Sequence, residues 1–179
     1  MIYLVIALKP EAQAFVEKYK LQKTKLRDYT LFFNDVIRLI VSGVGVENAM
    51  RATQTLIDFY DIEATDSYIN IGICGATQQY AIGELVEIGS IIYKDQEYIV
   101  HSYLEAKLHC VLDEVDTQES YALADMESFG FYDAVRHSLA IKNFQIYKVV
   151  SDHFMPHTVT KDGTKKLIAS VLDKIEEFS

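Results

Sequence analysis

Four acidic residues of this chain stand directly after apolar segments that have the character of buried strands. Glu11 follows the first of these segments, Asp125 and Glu127 follow a later one, and Asp152 follows the last. Carboxyl groups placed in this way can act as general acid and general base, and they can also hold sugar hydroxyls. Since ligands of open α/β sheets bind beyond the carboxyl ends of the strands, the four carboxylates can converge in one cleft.

Each of these residues also has a purely structural interpretation. Glu11 would be favoured by the helix dipole in a first helical turn, either Asp125 or Glu127 could serve as a helix cap, and Asp152 could cap the loop after its strand. The segment Gly43-Val44-Gly45 is similar to part of a dinucleotide-binding fingerprint, but Asn48 stands in place of the last glycine. A simple tight turn before a helix is the better interpretation of this segment.

Motifs for several other chemistries are absent from the sequence. His153 and His157 lie four positions apart, but Pro156 between them disfavours a regular helix, and no His-Glu-x-x-His or Cys-x-x-Cys pattern is present. We therefore expect no metal site. The sequence also has neither a Gly-x-Ser-x-Gly elbow nor a P-loop, which argues against an α/β-hydrolase and against a P-loop enzyme.

The composition indicates which binding partners to exclude and in which cellular compartment the protein is expected. With 26 acidic and 17 basic residues the net charge is -9, which argues against nucleic acid and against an anionic membrane surface. No apolar run approaches the roughly 18 residues of a membrane-spanning helix, and the apolar start of the chain lacks the basic leader of a signal peptide. Two cysteines, Cys74 and Cys110, are too few for a disulfide framework, so we expect the reducing cytoplasm.

The elements that position these residues alternate between strand-like and helix-like patterns. The 179 residues contain no linker, repeat or charge block, so we predict a single domain over residues 1–179. Strands are predicted over residues 3–8, 31–33, 36–41, 67–73, 85–93, 97–103, 121–124 and 145–151, and helices over 11–19, 46–60, 129–139 and 164–178. The pattern of residues 104–120 is ambiguous. This alternation predicts an α/β fold, a three-layer sandwich around a central mixed, mostly parallel sheet.

Six short segments carry a further signal because of their order. They are residues 7–11 (ALKPE), 42–49 (SGVGVENA), 69–76 (INIGICGA), 82–86 (IGELV), 125–128 (DMES) and 149–152 (VVSD). Together they resemble the nucleoside phosphorylase/nucleosidase superfamily, and most closely its methylthioadenosine/S-adenosylhomocysteine nucleosidase branch. Each segment alone is weak evidence, but six in the right order over most of the chain form a specific signature.

The resemblance implies cleavage of the N-glycosidic bond of a purine nucleoside or thionucleoside. In that reaction Glu11 orients and deprotonates the attacking water, and Asp152 protonates or hydrogen-bonds the purine N7. Glu127 accepts hydrogen bonds from the ribose hydroxyls, while Met126 packs on the sugar. The resemblance requires neither a metal nor an organic cofactor, and it implies a homodimer.

The resemblance also assigns further contacts with the nucleoside. Cys74 and Gly75 would lie along the ligand through their backbone groups, and Ser151 belongs to the same Ser-Asp motif as Asp152. Lys148 stands where nucleosidases carry an arginine, so it is assigned to the substrate site as well.

Two departures from the family pattern bear on the reaction. Ile73 stands where related enzymes have a serine or threonine that contacts phosphate or water, and Asn70 stands where phosphorylases need an arginine. The sequence therefore lacks two of the residues that bind phosphate in related enzymes, and we predict hydrolysis and not phosphorolysis. Two alternatives stay open: a nucleoside-binding protein of the same fold with impaired catalysis, and a phosphorylase that uses Lys148 and backbone amides.

A third departure concerns the nucleobase. The chain is shorter than typical members, and the missing length falls between Ile92 and Ala122, where the family has the loop that stacks on the base. Tyr103, His109 and Tyr121 are the candidates in this region for replacing that loop.

Overall fold

Strands and helices alternate in the computed structural model, which describes residues 1–116 and 121–175. The helices in these ranges are α1 (Lys9–Tyr19), α2 (Val46–Phe59), α3 (Ser128–Arg136) and α4 (Lys161–Val171), with short 3-10 helices at Pro156–Thr158 and Leu172–Lys174. The strands are β1 (Ile2–Ile6), β2 (Gln22–Leu26), β3 (Tyr29–Phe33), β4 (Ile37–Val41), β5 (Ser67–Ala76), β6 (Leu85–Glu87), β7 (Ser90–Tyr93), β8 (Gln96–Ile99), β9 (Lys107–Cys110), β10 (Leu123–Asp125) and β11 (Asn143–Asp152).

All of these strands join one mixed sheet, which confirms the predicted fold class. Its centre consists of β4, β1, β5 and β11, which run parallel side by side. Antiparallel strands extend both edges, with β3 and β2 beyond β4 and with β6 beyond β11. The carboxyl end of β5 also pairs antiparallel with β10, and β9, β7 and β8 continue from there. Half of the strand pairings in the described ranges are parallel, and they include the whole centre of the sheet.

Helices cover both faces of the sheet, which gives the three layers expected from the sequence. Along β1 the side chains alternate, so that Tyr3 and Val5 pack with residues of α2 and α3 while Leu4 and Ile6 pack with residues of α1 and α4. A strand with two covered faces has no polar side, which explains the continuous apolar sequence of β1. Within the described residues, no helix is both long enough and apolar enough to cross a bilayer.

Several strand boundaries differ from the prediction, and the strand predicted over residues 97–103 already ends at Ile99. Two differences are larger. The predicted strand over residues 85–93 is divided into β6 and β7, because the backbone N–H of Ile88 still bonds to β11 whereas that of Gly89 bonds to Ala106, next to β9. The sequence does not predict β2, since four of the five residues of this edge strand are exposed and no apolar period marks it.

Two further segments are clearer in the structure than in the sequence. The ambiguous region 104–120 contains β9, and its last four residues lie outside the described ranges. Helix α4 begins at Lys161, earlier than predicted, because the Thr160 side chain accepts a hydrogen bond from Gly163 N and caps the helix. The predicted end of this helix at residue 178 lies outside the described residues.

Candidate active site

A cavity of about 280 Å³ opens where β1, β4, β5 and β11 end, near the first turn of α1 and the residue before α3. This volume lies near the lower end of the range for small-molecule sites. The structure brings seven of the eight predicted site residues to its wall: Glu11, Cys74, Gly75, Met126, Glu127, Ser151 and Asp152. The eighth, Lys148, does not line the cavity and lies buried against Asp125, so its contact with the substrate stays a prediction.

The Glu11 carboxylate is fixed by two backbone N–H groups from different parts of the chain. Leu8 N donates to Oε2 over 2.8 Å, and Ile73 N donates to Oε1 over 2.9 Å. The side chain is 2% exposed. This burial raises the pKa of Glu11 to about 7, against the lowering effect of the two N–H groups. A carboxyl group with such a pKa is suited to accept a proton near neutral pH.

Glu127 reaches the cavity from the residue that precedes α3. Its Oε1 accepts a hydrogen bond from Gly45 N over 2.9 Å, so the carboxylate lies at the positive end of α2. Gly45 has a φ of 104°, a conformation that glycine adopts at little cost. The Gly43-Val44-Gly45 segment is therefore a bend before α2, and its Gly45 N–H binds a carboxylate of this chain. Burial, and then the charge of Asp125, raise the pKa of Glu127 above its ordinary value.

Asp125 and Lys148 form a buried ion pair at the floor of the cavity. Lys148 Nζ lies 2.7 Å from Asp125 Oδ2, and the lysine side chain is 1% exposed. Asp125 also accepts hydrogen bonds from Ser128 N and Ser128 Oγ, so its carboxylate pairs with the first residue of α3. Burial alone would lower the pKa of Lys148, but the charges of Asp125, Glu127 and Glu11 outweigh it and raise the pKa. Lys148 is thus a buried counter-ion for the carboxylates.

A β-bulge in β11 places two neighbouring side chains on the cavity wall. Val150 pairs with Cys74 and Asp152 pairs with Gly75, so Ser151 is the extra residue of the bulge. In a regular strand Ser151 and Asp152 would point to opposite faces of the sheet. Here Ser151 Oγ lies 2.7 Å from Asp152 Oδ2 and 3.1 Å from the Cys74 carbonyl oxygen, so that both side chains serve the same site.

Phe154 also lines the cavity, although it belongs to none of the predicted motifs. Met155 N donates to Asp152 Oδ1 over 2.7 Å and closes a turn in which Phe154 has a left-handed φ of 56°. The ring packs on the backbone of Gly75, since a β-carbon at that position would lie 3.0 Å from Phe154 Cδ1. Its place two residues after the Ser-Asp motif is the signal by which the sequence could have indicated it.

A second loop contributes Val111, Glu114 and Val115 to the wall. Of the residues considered for contact with the base, His109 and Tyr121 line a neighbouring groove instead, with ring centroids 4.6 Å apart. The third candidate, Tyr103, is 75% exposed and lines neither space. The described part of this region therefore supplies aliphatic and acidic side chains to the cavity, but no aromatic ring.

The wall is acidic. Its carboxyl groups belong to Glu11, Glu114, Asp125, Glu127 and Asp152, and none of the described wall residues is Lys, Arg or His. Burial raises the pKa of the Cys74 thiol, so this side chain is neutral. Within residues 1–116 and 121–175, no group of three or more His, Cys, Asp or Glu is arranged to hold a metal ion. The cavity electrostatically favours a ligand that is neutral or positively charged.

Comparison with solved structures identifies the class of fold. The chain has the architecture of the 5′-methylthioadenosine/S-adenosylhomocysteine nucleosidases, which confirms the fold implied by the sequence resemblance. No protein-family model and no curated protein matches the sequence. The likeness is therefore one of three-dimensional structure.

Three of these structures show how far the likeness extends. A variant of the Helicobacter pylori nucleosidase with 5′-methylthioadenosine in the active site has a TM-score of 0.77 at 10% identity, and the match covers 97% of this chain and 98% of that chain. The Colwellia psychrerythraea nucleosidase in complex with adenine has a TM-score of 0.76 at 17% identity, with 97% and 94% covered. The Arabidopsis thaliana 5′-methylthioadenosine nucleosidase has a TM-score of 0.72 at 18% identity, also with 97% and 94% covered.

Proposed function

We propose that the chain is a nucleosidase that hydrolyses the N-glycosidic bond of a purine nucleoside or thionucleoside. The observation that carries this proposal is Glu11, a buried carboxyl group with a pKa of about 7, on the wall of a cavity that also holds Glu127 and Asp152. The fold shared with the methylthioadenosine/S-adenosylhomocysteine nucleosidases supports the same class of reaction.

Glu11 acts as the general base of this reaction. Its two oxygens accept the N–H groups of Leu8 and Ile73, and their remaining lone pairs can hold a water molecule beside the anomeric carbon. As the C–N bond breaks, this carbon becomes cationic in an oxocarbenium-like transition state. Glu11 takes a proton from the water, the water oxygen bonds to the anomeric carbon, and the base departs with the electron pair of the glycosidic bond.

Asp152 acts on the departing base. Each of its oxygens has one donor within the protein, Met155 N at Oδ1 and Ser151 Oγ at Oδ2, so each retains a lone pair for the ligand. In its protonated form Asp152 carries a proton on one of these lone pairs and donates it to the purine N7, which stabilises the electron pair that the broken bond leaves on the base and leaves Asp152 as the carboxylate. The backbone groups of Cys74 and Gly75, which lie beside Asp152, run along the nucleoside.

Glu127 holds the sugar. The Gly45 N–H fixes one of its oxygens, and the carboxylate has further lone pairs for the ribose hydroxyls, with Met126 packed on the sugar. Its negative charge also stabilises the positive charge that develops on the sugar in the transition state. Glu127 therefore contributes to binding and to catalysis together.

The charge of the cavity favours hydrolysis over phosphorolysis. A phosphate ion would meet the carboxylates of the wall, with no Lys, Arg or His among the described wall residues to offset them. Lys148, the cationic side chain considered for phosphate together with backbone amides, is buried and paired with Asp125. Ile73 adds an aliphatic side chain where related enzymes place a hydroxyl. A phosphorylase is thus the less supported alternative.

Release of free base from a panel of nucleosides tests the proposal. The panel contains adenosine, inosine, 5′-methylthioadenosine and S-adenosylhomocysteine, each with and without phosphate, and the products are separated by chromatography. We expect base release without phosphate from the wild type and none from Glu11→Gln. Release that requires phosphate would instead identify a phosphorylase.

Binding without any release would identify the second alternative, a nucleoside-binding protein with impaired catalysis. The departure at Ile73 motivates this alternative, because its side chain cannot donate a hydrogen bond to water. In that case Ile73→Ser is the informative variant, and hydrolysis restored by this change would locate the lost activity at position 73.

We also propose that the chain forms a homodimer of single-domain subunits, each of residues 1–179, in the cytoplasm. Exposed large apolar side chains, among them Ile99, Tyr103 and Leu112, give a second copy a surface to cover. The free thiols of Cys74 and Cys110 suit a reducing compartment. Sedimentation at micromolar concentration tests the dimer, and limited proteolysis that yields two stable folded halves would contradict the single domain.

A further inference from the structure

A groove of about 390 Å³ lies beside the active-site cavity and has no role in the reaction described above. Strands β7 and β9 contribute Ile92 and His109 to its lining, and Tyr121 contributes a ring. Two side chains, Val111 and Val115, line the groove and the cavity alike. The two spaces therefore share a wall.

The register of the sheet shows that both spaces lie along one row of residues. Five residues pair in succession across neighbouring strands: Asp152, Gly75, Ala124, His109 and Ile92. The first three of these residues line the cavity, and the last two line the groove. Since neighbouring strands lie about 4.8 Å apart, the step from Ala124 to Ile92 is about 10 Å. The groove thus continues the cavity from β10 across β9 to β7.

In the proposed reaction the base points along this row. Asp152 acts on the purine N7 at one end of the row, and the groove lies beyond the opposite side of the cavity. N7 belongs to the five-membered ring of a purine, so the six-membered ring extends away from Asp152, towards Val111 and Val115. A substituent on the six-membered ring would pass these two side chains and enter the groove.

The surfaces that such a substituent would meet are accessible and mostly apolar. Val111 and Val115 are half-buried, so part of each side chain is open to a ligand. Ile92 and Tyr121 are half-buried as well, and Leu112 is 63% exposed. The acidic and basic members of the described lining carry charges of both signs: Lys94, Asp95 and Asp113. The groove therefore suits a neutral apolar or aromatic group, which gains affinity by leaving water.

We infer that the groove is a subsite for an apolar substituent on the six-membered ring of the purine, so that the protein accepts purines enlarged at this edge. The inference rests on the proposed function, in which Asp152 acts on the purine. It also assigns a role to the rings of His109 and Tyr121, which lie in the groove beyond the aliphatic wall. They contact the substituent and not the base.

The test compares free bases that differ in the position of one benzyl group. Adenine is the parent, 6-benzylaminopurine and 2-benzylaminoadenine carry the group on the six-membered ring, and 8-benzylaminoadenine carries it on the five-membered ring. Calorimetry measures the Kd of each base for the wild type. We expect at least one of the first two substituted bases to bind about tenfold more tightly than adenine, as burial of a phenyl ring predicts. The 8-substituted base should bind less tightly than adenine, because its benzyl group points away from the groove.

Two variants locate the benzyl group. Tyr121→Ala removes a ring from the groove, and Leu112→Trp fills the groove from an exposed position that tolerates a larger side chain. Both should lose the gain of about tenfold while they bind adenine like the wild type. The matched control is Tyr103→Ala, which should bind every base like the wild type, because Tyr103 is 75% exposed and lines neither space.

Three results would overturn the inference: no gain from a benzyl group on the six-membered ring, an equal gain from the 8-substituted base, or a full gain in both groove variants. In each case adenine binding and base release from the nucleoside panel persist, so the proposed function stands. A wild type that binds none of the four bases and releases no base from the panel would instead refute the nucleosidase function itself.

Discussion

The buried ion pair between Lys148 and Asp125 provides a test of how the carboxylates of the cavity are held. Lys148→Met removes the charge but keeps an unbranched apolar side chain. The two charged atoms are 2.7 Å apart, and the two side chains are 1% and 0% exposed. Removing one partner of such a pair costs about 3–5 kcal/mol, because the remaining charge stays buried without compensation.

We expect the lower end of this range, about 3 kcal/mol of free energy of unfolding at pH 8, because Asp125 keeps its hydrogen bonds to Ser128. The loss should be smaller at pH 5. Without Lys148 the pKa values of Glu11 and Glu127, already raised by burial, rise further. The folded variant then binds protons that the unfolded chain has released, so its stability increases as the pH falls through these raised values.

Urea unfolding followed by circular dichroism at pH 5 and pH 8 measures both effects. The matched control is Lys165→Met, whose partner Glu17 lies on the surface and whose loss should cost no more than about 1 kcal/mol at either pH. The double variant Lys148→Met/Asp125→Asn should recover part of the loss, because the unpaired charge is gone. A loss at pH 8 no larger than that of the control, or an equal loss at both pH values, would refute the electrostatic coupling.

Three further predictions concern the groups proposed to act on the nucleoside. The pKa of Glu11 is about 7 in the folded protein against an ordinary 4.5, so its neutral form adds stability at low pH that is lost as the pH rises through 7. This loss amounts to about 3 kcal/mol of free energy of unfolding. In Glu11→Gln the free energy of unfolding, measured with urea, should change much less between pH 5 and pH 8, while nucleoside binding persists. The same change with pH as in the wild type would assign the raised pKa to another residue. Asp152→Asn should slow base release about 10²–10⁴-fold, because an amide cannot give a proton to the purine, and wild-type rates would remove Asp152 from this role. Glu127→Gln should weaken binding and turnover together, and should harm a 2′- or 3′-deoxynucleoside less than the ribonucleoside; equal losses on both would remove Glu127 from the sugar site.

The amino-acid sequence by itself determined the central strands and the acidic residues that follow them. Strand β1 is covered on both faces, so its apolar run is continuous and marks it without any tertiary information, while β5 and β11 are marked by shorter apolar runs that polar residues interrupt. Glu11 and Asp152 stand out because each follows closely on a strand of this kind, where the ligands of α/β sheets bind. The order of the strands and helices then sufficed to predict the fold class, since alternation of this kind has few packed solutions.

The tertiary structure decided which polar residues belong to the cavity. Asp125 and Glu127 are two positions apart and of the same charge, yet Asp125 pairs with Lys148 and Ser128 while Glu127 is held by Gly45. Strand β10 runs antiparallel to β5, so this segment reaches the site in a way that the rule for parallel strands does not cover. The different positions of the two carboxylates depend on Lys148 and Gly45, which are distant from them in sequence.

The geometry of the residues at the end of β11 also depends on the tertiary structure. The bulge that puts Ser151 beside Asp152 exists only in the register between β11 and β5. The left-handed backbone of Phe154 is held by Asp152, and the place of its ring is set by the bare backbone of Gly75. A local pattern encodes the period and burial of an element, but register and ring packing are set by contacts between strands, so only the folded chain could reveal them.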